Sequence, residues 1–376
     1  MVDLLTNGIR SFDFDTGEKI KYFLMNKDEV VAKFSLQTGE FGGITEVEEL
    51  RLPNWITNFS GFIEHRSAPR GRAHIQELLT RSGCTTTQGF LDYTHALSLT
   101  DTFWVKRADS TLEWKNVSLF RNPFNEVIAH TAFDGGMYGN NLSTPSPEYG
   151  TDGTFAKCWI RENDKIKMLK RGSSGARNAG LEPYSEYYAS QVARAFECEH
   201  VEYSIRSYKG RICSACNCFT NEQYGFIPFS MASTLSTFNE ISRFFIDSSV
   251  IRNFADMQVF DALIFNEDRH RGNFGFIFDT DTYEVVDFAP LFDHNISLLC
   301  YAEEEDFASN YVKGRFPRLG ITFIENAQKF VKYGARRRLI NMKGFKFDRD
   351  SKINLPDWRL DRLESLINEQ IDLLLK

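Results

Sequence analysis

The sequence lacks several features that would place it at once in a large class of proteins. No run of about 18 apolar residues occurs, so a membrane-spanning helix is not expected. The N-terminus carries an early acid, Asp3, and no long apolar stretch follows it, which argues against a signal peptide. No internal repeat and no low-complexity tract is present, so repeat architectures are not predicted.

The chain also lacks an excess of positive charge and a disulfide framework. Its formal net charge of −7 over 376 residues argues against a protein held on nucleic acid by bulk charge. The seven cysteines are odd in number and mostly lie in apolar or strand-like segments, which suits a reducing compartment. A cytoplasmic protein is therefore expected, and its 42% of apolar residues is enough to build a sizeable core.

A group of three cysteines, Cys213, Cys216 and Cys218, is the one cluster worth testing as a metal site. Structural zinc normally has four ligands, and no second pair or nearby histidine is evident. The segment also follows the turn Lys209-Gly210 and has the character of a strand. Small packing residues in a strand are preferred, and a metal site stays the alternative.

Changes in composition divide the chain into three predicted regions. Residues 1–135 mix short strands with a helix near residues 73–81, where apolar side chains recur at helical spacing. A linker rich in Gly, Ser, Pro and Asn, residues 134–153, overlaps the start of the second region, residues 136–220. Residues 221–376 are predicted to be mostly helical.

The middle region has a recognisable order of elements. Two strands are predicted at 155–161 and 165–170, followed by a helix that Pro183 opens and by two more strands. Tyr188, Val192, Ala195 and Phe196 are predicted to share one face of that helix. This order resembles the small ATP-binding lobe of protein kinases.

Two motifs in the last region, which a predicted hairpin separates, carry the oxygen atoms that phosphoryl transfer requires. They are Asn266-Glu267-Asp268-Arg269-His270-Arg271-Gly272-Asn273 and Ala289-Pro290-Leu291-Phe292-Asp293. Transfer from ATP needs a carboxylate to position the attacking hydroxyl and oxygen ligands for magnesium. Asp268 is the candidate catalytic residue, because a loop after a buried helix supports it and leaves it accessible. Asn273 and Asp293 are the candidate magnesium ligands.

Asp287 is the alternative to Asp293 as the charged metal ligand. Asp287-Phe288 partly matches the Asp-Phe-Gly motif of protein kinases. However, it lies in a predicted strand, and Ala289-Pro290 follows where a glycine is expected. Asp293 is therefore preferred.

Lys170 is the candidate lysine for contact with the phosphates of ATP. Strand alternation places it on the same face as Ile166 and Met168. A lysine on an apolar face is costly unless it has a partner or faces a cleft, and Glu186 on the next helix can be that partner. A Lys–Glu pair that holds the α- and β-phosphates is part of the kinase template. The alternative is an exposed lysine at a strand end whose ammonium group reaches water.

Two glycine-bearing loops are candidates for covering the phosphates, because backbone N–H groups in such loops bind anions. The first, residues 150–157, offers Gly150, Gly153 and Lys157 as ATP contacts. The second, residues 172–175, follows the Lys170 strand. Position favours the first loop, and the second is interpreted as a flexible connection to the helix.

Together these residues resemble the HipA-like kinases, the serine/threonine kinases best known as bacterial toxin components. The resemblance covers roughly residues 140–376 and rests on the two motifs and on Pro183-Tyr184-Ser185-Glu186-Tyr187-Tyr188-Ala189. In such kinases the Asp of the first motif is the catalytic base. Its Asn and the last Asp of the second motif bind magnesium, and a strand lysine contacts ATP. The matching positions are Asp268, Asn273, Asp293 and Lys170.

The resemblance implies an α+β, bilobed protein-kinase-like fold. Residues 136–220 would form a β-rich N-lobe that binds ATP, and residues 221–376 a helical C-lobe with the catalytic loop and the metal site. Residues 1–135 would be an additional N-terminal α/β region of unknown role. They resemble the N-terminal region of the toxin only vaguely, so the sequence does not support an antitoxin-like partner.

The implied function is ATP- and Mg²⁺-dependent phosphorylation of Ser or Thr hydroxyls on a protein. The Asp-Arg-His-x-x-Asn order also occurs in phosphoinositide kinases, so a lipid or small-molecule kinase stays the enzymatic alternative. A nucleotide-binding pseudokinase module without transfer activity is the alternative outside the enzymes. Autophosphorylation is a further expectation, and nothing singles out one of the linker hydroxyls, which are Ser143, Thr144, Ser146 and Thr151.

Overall fold

Three antiparallel sheets and a set of packed helices make up the part of the chain that the computed structural model describes. The described residues are 17–38, 43–82, 84–136, 145–307, 311–349 and 352–376. The strands are β1 (Lys19–Asn26), β2 (Glu29–Gln37), β3 (Gly43–Glu49), β4 (Phe103–Arg107), β5 (Lys157–Glu162), β6 (Lys165–Arg171), β7 (Tyr203–Tyr208), β8 (Arg211–Asn217), β9 (Tyr224–Pro228), β10 (Gly275–Asp279) and β11 (Val285–Phe288). The helices are α1 (Phe59–Glu64), α2 (Ile75–Arg81), α3 (Thr87–Thr94), α4 (Trp114–Val117), α5 (Glu126–Asp134), α6 (Glu182–Phe196), α7 (Phe229–Ala232), α8 (Phe238–Ile246), α9 (Ile251–Ile264), α10 (Glu304–Phe307), α11 (Phe323–Gln328), α12 (Ala335–Asn341) and α13 (Asp357–Leu375).

The N-terminal region is built on a four-stranded sheet with the strand order β3-β2-β1-β4. β1 and β2 form a hairpin whose turn contains Lys27 with a positive φ of 50°. Tyr22, Leu24 and Phe34 are buried against the α1–α3 helices in one hydrophobic cluster. The predicted strands and the predicted helix near residues 73–81 are therefore confirmed, with the helix beginning at Ile75.

The middle region forms a second sheet with the order β5-β6-β8-β7, and α6 lies between β6 and β7 in the chain. Pro183 occupies the first turn of α6, where its missing N–H costs no intrahelical hydrogen bond. Tyr188, Val192 and Phe196 are fully buried, as predicted. Ala195 is exposed, so its predicted place on that face was wrong. The predicted order strand, strand, helix, strand, strand is confirmed.

The cysteines of β8 lie on different sides of this sheet. Cys213 packs with Cys158 and Leu169 in one buried cluster, whereas Cys216 packs with Tyr203 in another. Residues three apart in a strand point to opposite faces. The spacing therefore separates these two thiols instead of gathering them.

The C-terminal region is organised around α9. Phe254, Met257, Phe260 and Leu263 are all buried, and the helix packs against α6, α8, α11, α12 and α13. α9 ends at Phe265, whose positive φ of 53° turns the chain out of the helix. The first of the two motifs therefore begins where a rigid, buried helix stops, as predicted from the sequence.

The predicted hairpin of β10 and β11 is confirmed, but it belongs to a larger sheet. β9 pairs with β10 to give a third sheet with the order β11-β10-β9. β9 was not predicted, because Gly225 and Pro228 both weaken a strand signal in the sequence. Pairing with β10 supplies the stabilisation that the local sequence does not.

The third sheet shares a hydrophobic core with the N-terminal region. Ile227 and Phe278 are buried in the same cluster as Leu24 and Phe103. A further link joins the backbone of the hairpin to β1, since Nδ2 of Asn26 donates to the carbonyl of Thr280 at 2.7 Å. The N-terminal and C-terminal regions are therefore packed together, and the boundaries at 135 and 220 stay predictions.

Within the described residues, no helix combines the length and the apolar character that a membrane span requires.

The shared core leads to a stability prediction. Phe278→Ala should lower the free energy of unfolding by about 3–5 kcal/mol, because it removes a fully buried aromatic ring. Denaturant unfolding followed by Trp fluorescence measures the change. Val285→Ala, at the cross-strand partner of Phe278 with a 52% exposed side chain, is the control and should change little. Two separate transitions, with only one shifted by Phe278→Ala, would contradict a shared core.

Candidate functional site

The loop of residues 266–273 is anchored to the end of α9 by its first residue. Asn266 is fully buried, and its Nδ2 donates to Oδ1 of Asp261 at 2.9 Å. Its own Oδ1 accepts from the backbone N–H of Asp268 at 3.1 Å. The backbone of the candidate catalytic residue is therefore fixed to the helix, while its side chain stays partly exposed.

Arg269 joins this loop to the second motif. Its guanidinium is buried, and Nη1 donates both to the carbonyl of Asn273 at 2.7 Å and to the carbonyl of Phe292 at 2.8 Å. Asp261 neutralises the guanidinium at 2.9 Å. Because one nitrogen atom bonds both carbonyls, the chain segments that carry Asn273 and Asp293 lie side by side.

The side-chain amide of Asn273 is oriented by a hydrogen bond within the loop. Its Nδ2 donates to the carbonyl of Asp268 at 3.1 Å, which orients the amide. In the described part of the chain, Oδ1 of Asn273 accepts no hydrogen bond. A neutral oxygen that is held in place and left unpaired suits a magnesium ligand.

Three charged side chains from three elements meet at Lys170 on β6. Its Nζ donates to Oε1 of Glu186 at 2.6 Å and to Oδ1 of Asp293 at 2.7 Å. Glu186 comes from α6 and also accepts a hydrogen bond from the hydroxyl of Ser214 on β8. The hydroxyl of Tyr203 accepts from the backbone N–H of Asp293 at 3.1 Å. The structure thus brings Lys170, Glu186 and Asp293 together.

The charges in this cluster stabilise one another. Burial alone would lower the pKa of Lys170, but the carboxylates of Asp293 and Glu186 outweigh burial and raise it. Burial alone would raise the pKa of Asp293, yet Lys170 and Lys157 hold it well below its usual range. Asp293 also has a positive φ of 57°, an uncommon backbone conformation that often marks a functional residue.

Lys157 is a second buried cation beside this cluster. It lies directly opposite Lys170 in the β5–β6 pairing, so both side chains share one face of the sheet. Its Nζ donates to the carbonyl of Asp152 at 2.6 Å. Burial, together with the charge of Lys170, lowers the pKa of Lys157 to about 7. A buried amine whose nearest partner is a carbonyl is suited to receive an anion.

The two glycines of the candidate phosphate loop have different surroundings. Gly153 has a positive φ of 88°, and a Cβ atom there would collide with Nζ of Lys157. Gly150 instead ends a 3₁₀ turn and packs closely against the carbonyl of Leu97 in the N-terminal region. Only Gly153 therefore lies next to the lysines.

The N-terminal region holds this loop from the other side. Arg72 is 2% exposed, and its Nη1 donates to the carbonyls of Glu148 at 2.7 Å and Thr151 at 2.9 Å. The N–H of Ala73 donates to the carbonyl of Thr154 at 3.1 Å. Burial lowers the pKa of Arg72 to about 10. The conformation of the loop over Lys157 therefore depends on residues of the N-terminal region.

Asp268 and Asp287 are engaged differently. Oδ1 of Asp268 accepts from Nη1 of Arg318 at 2.6 Å, in a partly exposed ion pair. Asp287 lies exposed on the edge strand β11, and its Oδ1 accepts from the N–H of Phe288 at 2.7 Å. The carboxylates of Asp293 and Asp268 are therefore each paired with a cationic side chain, Lys170 and Arg318 respectively.

Sequence reasoning assigned no role to Arg72, Arg269 or Arg318. A signal for Arg269 exists in the sequence, because Asp261 interrupts the apolar run of residues 259–265 and a buried carboxylate requires a cation. No comparable signal exists for Arg72 or Arg318, whose partners lie 76 and 50 residues away in the chain.

A cavity of about 680 Å³ lies elsewhere, at the opposite end of β6. Its lining includes Ile166, Cys218 and Glu222, where β8 leads into the C-terminal region. The charged cluster at Lys170 does not line it. A ligand of Lys170 would therefore bind at a different place from this cavity.

The side chains of the site fit a magnesium–nucleotide complex. Among the described residues, no three His, Cys, Asp or Glu side chains gather as a metal cluster. Magnesium bound to phosphates needs only one or two protein carboxylates and completes its shell with other oxygens. Asp293 and Oδ1 of Asn273 supply such ligands, and Lys157 and Lys170 supply charge for the phosphates.

The chain is similar to a known kinase over part of its length. No protein-family model matches the chain. It is 28% identical over 191 residues to the serine/threonine-protein kinase CtkA of Helicobacter pylori strain J99, a match that covers 46% of this chain and 54% of that protein. The chain therefore spans about half the length of this curated relative.

A solved structure with a TM-score above 0.5 gives the fold. The chain is similar to a Shewanella oneidensis MR-1 structure of the toxin–antitoxin system HipA, HipB and its operator DNA. The TM-score is 0.60 with 10% identity, and the match covers 93% of this chain and 96% of that one. A crystal structure of the H. pylori proinflammatory kinase CtkA matches with a TM-score of 0.48 and 20% identity, over 58% of this chain and 92% of that one. The predicted α+β, kinase-like fold class and the predicted resemblance to HipA-like kinases are both confirmed.

Proposed function

We propose that this chain transfers the γ-phosphoryl group of ATP to a Ser or Thr hydroxyl of a protein. The observation that carries the proposal is the buried contact of Lys170 with both Glu186 and Asp293. It joins a phosphate-binding lysine to a metal-binding carboxylate, and Arg269 extends the connection to the loop that carries Asp268. Protein as the acceptor is favoured because the matched relative is named a serine/threonine-protein kinase.

Each residue has a stated role in the proposal. Lys170, oriented by Glu186, would contact the phosphates of ATP, and Lys157 and Gly153 would approach them from the loop. Asn273 and Asp293 would hold Mg²⁺. When bound there, Mg²⁺ would neutralise negative charge on the phosphates. Positioning and charge neutralisation supply most of the catalysis in this class of reaction.

Asp268 would act on the acceptor. Its carboxylate would orient the acceptor hydroxyl and receive its proton. The acceptor oxygen would then bond to the γ-phosphorus as the bond from that phosphorus to the bridging oxygen of ADP breaks. ADP leaves, and the acceptor carries a phosphate ester.

Autophosphorylation stays a prediction without an assigned residue. Ser143 and Thr144 lie outside the described residues. Ser146 is buried and bonded to the carboxylate of Glu148, so it is a poor acceptor as it stands. The hydroxyl of Thr151 donates to the carbonyl of Pro147 at 2.6 Å.

The cytoplasmic location also stays a prediction.

The first functional prediction concerns Asp268. Asp268→Asn should lower kcat by about 10²–10⁴-fold, the usual contribution of a general base, and leave ATP affinity nearly unchanged. Transfer to a protein extract measured with labelled ATP, together with calorimetric titration of ATP, tests both parts. Lys170→Met should lower transfer and, unlike Asp268→Asn, should also weaken ATP binding. If Asp268→Asn keeps full transfer activity, Asp268 has no role in the reaction, and label that enters lipid alone would move the proposal to a lipid kinase.

The second prediction separates the two candidate metal ligands. Asp293→Asn should raise the magnesium concentration needed for half-maximal nucleotide binding by about tenfold or more, because a charged ligand is lost. Asp287→Asn is the matched control and should leave that concentration unchanged. Glu186→Gln removes the other ion pair of Lys170 and should weaken ATP binding without changing the magnesium requirement. A large effect of Asp287→Asn would exchange the two roles.

The third prediction follows from the pKa of Lys157, which is about 7. At pH 8 the free amine is mostly neutral, and adjacent phosphates favour the ammonium form. Binding of Mg–ATP should therefore take up about one proton, and ATP affinity should fall as the pH rises above 7. Calorimetry at pH 8 in two buffers of different ionisation enthalpy measures the uptake. Lys157→Met is the control, and equal uptake by both proteins would contradict the prediction.

A further inference from the structure

A surface segment of residues 315–321 lies against the loop that carries Asp268. Nη1 of Arg318 donates to Oδ1 of Asp268 at 2.6 Å, and Nη1 of Arg315 approaches Oε2 of Glu267 at 3.4 Å. Two consecutive acids of the loop are thus each paired with an arginine of this segment. We refer to residues 315–321 as the arginine segment.

The arginine segment is fixed to the C-terminal region at one end. Nδ2 of the buried Asn326 donates to the carbonyl of Leu319 at 2.8 Å, and its Oδ1 accepts from the N–H of Ile321 at 3.1 Å. Gly320 between them has a positive φ of 97°, which favours glycine. The backbone next to Arg318 is therefore held in place, while the arginine side chain is 59% exposed.

The same segment exposes two large apolar side chains. Phe316 is 53% exposed and Ile321 is 62% exposed. Single exposed apolar residues are ordinary, but these two flank an arginine that contacts the proposed catalytic carboxylate. A partner that brings a hydroxyl to Asp268 would have to pass over this part of the surface.

Arg318 occupies Oδ1 of Asp268, so the ion pair must open before an acceptor hydroxyl can take that position. An exposed ion pair contributes little to stability, so exchanging Asp268 for another anion costs little. An acceptor that supplies its own carboxylate to Arg318 would free Asp268 at the moment of binding.

We propose that the arginine segment is the docking surface for the acceptor protein, and that it selects a Ser or Thr with an Asp or Glu nearby. Arg318 binds the acceptor carboxylate, and Phe316 and Ile321 contact apolar side chains beside it. The transfer step of this inference rests on the proposed function. The docking itself does not.

Degenerate Ser peptides that fix Asp, Asn or Lys at one position near the serine test the inference. For the wild-type protein, kcat/KM should be about two- to fivefold higher for Asp than for Asn at one position, the effect of one exposed ion pair, through a lower peptide KM. Arg318→Gln should abolish this preference without raising the KM for ATP. Arg337→Gln, an exposed arginine on α12, is the matched control and should keep it.

Two results would overturn the inference. The first is a preference for Asp that survives Arg318→Gln. The second is an Arg318→Gln variant whose KM rises for ATP and not for peptide, because Arg318 would then contact the γ-phosphate instead of the acceptor. Phe316→Ser should weaken peptide binding and leave ATP binding unchanged, which separates docking from damage to the nucleotide site.

A binding measurement separates failure of the docking surface from failure of the proposed function. Fluorescence anisotropy of labelled peptides, with magnesium and a non-hydrolysable ATP analogue present, requires no transfer. If no phosphate reaches any acceptor but the Asp peptides still bind more tightly to wild type than to Arg318→Gln, the function is wrong and the docking surface stands. Equal binding of the Asp and Asn peptides by the wild-type protein would end the docking proposal.

Discussion

The buried ammonium group of Lys170 is the interaction on which the arrangement of the site depends. It lies between Glu186 from α6 and Asp293 from the loop after β11, and it is only 4% exposed. Moving any one of these charges away would leave the others buried without full compensation, which is strongly unfavourable. The middle region and the C-terminal region therefore meet at this point. A buried ion triad contributes little net stability compared with well-packed apolar residues, which agrees with the proposed role of this cluster in binding ATP.

Arg269 connects the two loops of the site, as Lys170 connects the middle region with the C-terminal region. Its buried guanidinium is paired with Asp261 from α9, and its Nη1 donates to the carbonyls of Asn273 and Phe292. Fixing backbone rather than side chains leaves Oδ1 of Asn273 and the carboxylate of Asp293 available for other interactions. The rigidity of the site thus comes from the central helix, whose apolar faces are packed by five neighbouring helices.

The N-terminal region contributes to the site as well as to the core. It shares buried residues with β9 and β10, and it holds the carbonyls of the loop over Lys157 through Arg72 and Ala73. A loop of glycine and short polar residues has little structure of its own, so its conformation is set by what surrounds it. The described residues of the N-terminal region are therefore part of the architecture that shapes the candidate phosphate site.

Local spacing determined the elements and the residue types of the site. A predicted buried helix followed by a polar loop indicated Asp268 and Asn273 as candidates, and strand alternation indicated that Lys170 needs a partner. The partner of Lys170 could be predicted because the strand period fixes which side chains share a face, whereas the roles of Asp268 and Asn273 stay predictions. Only the tertiary structure decided which distant groups meet. Arg72, Arg318 and strand β9 depend on contacts with segments far away in the chain, and nothing in their local sequence encodes those contacts.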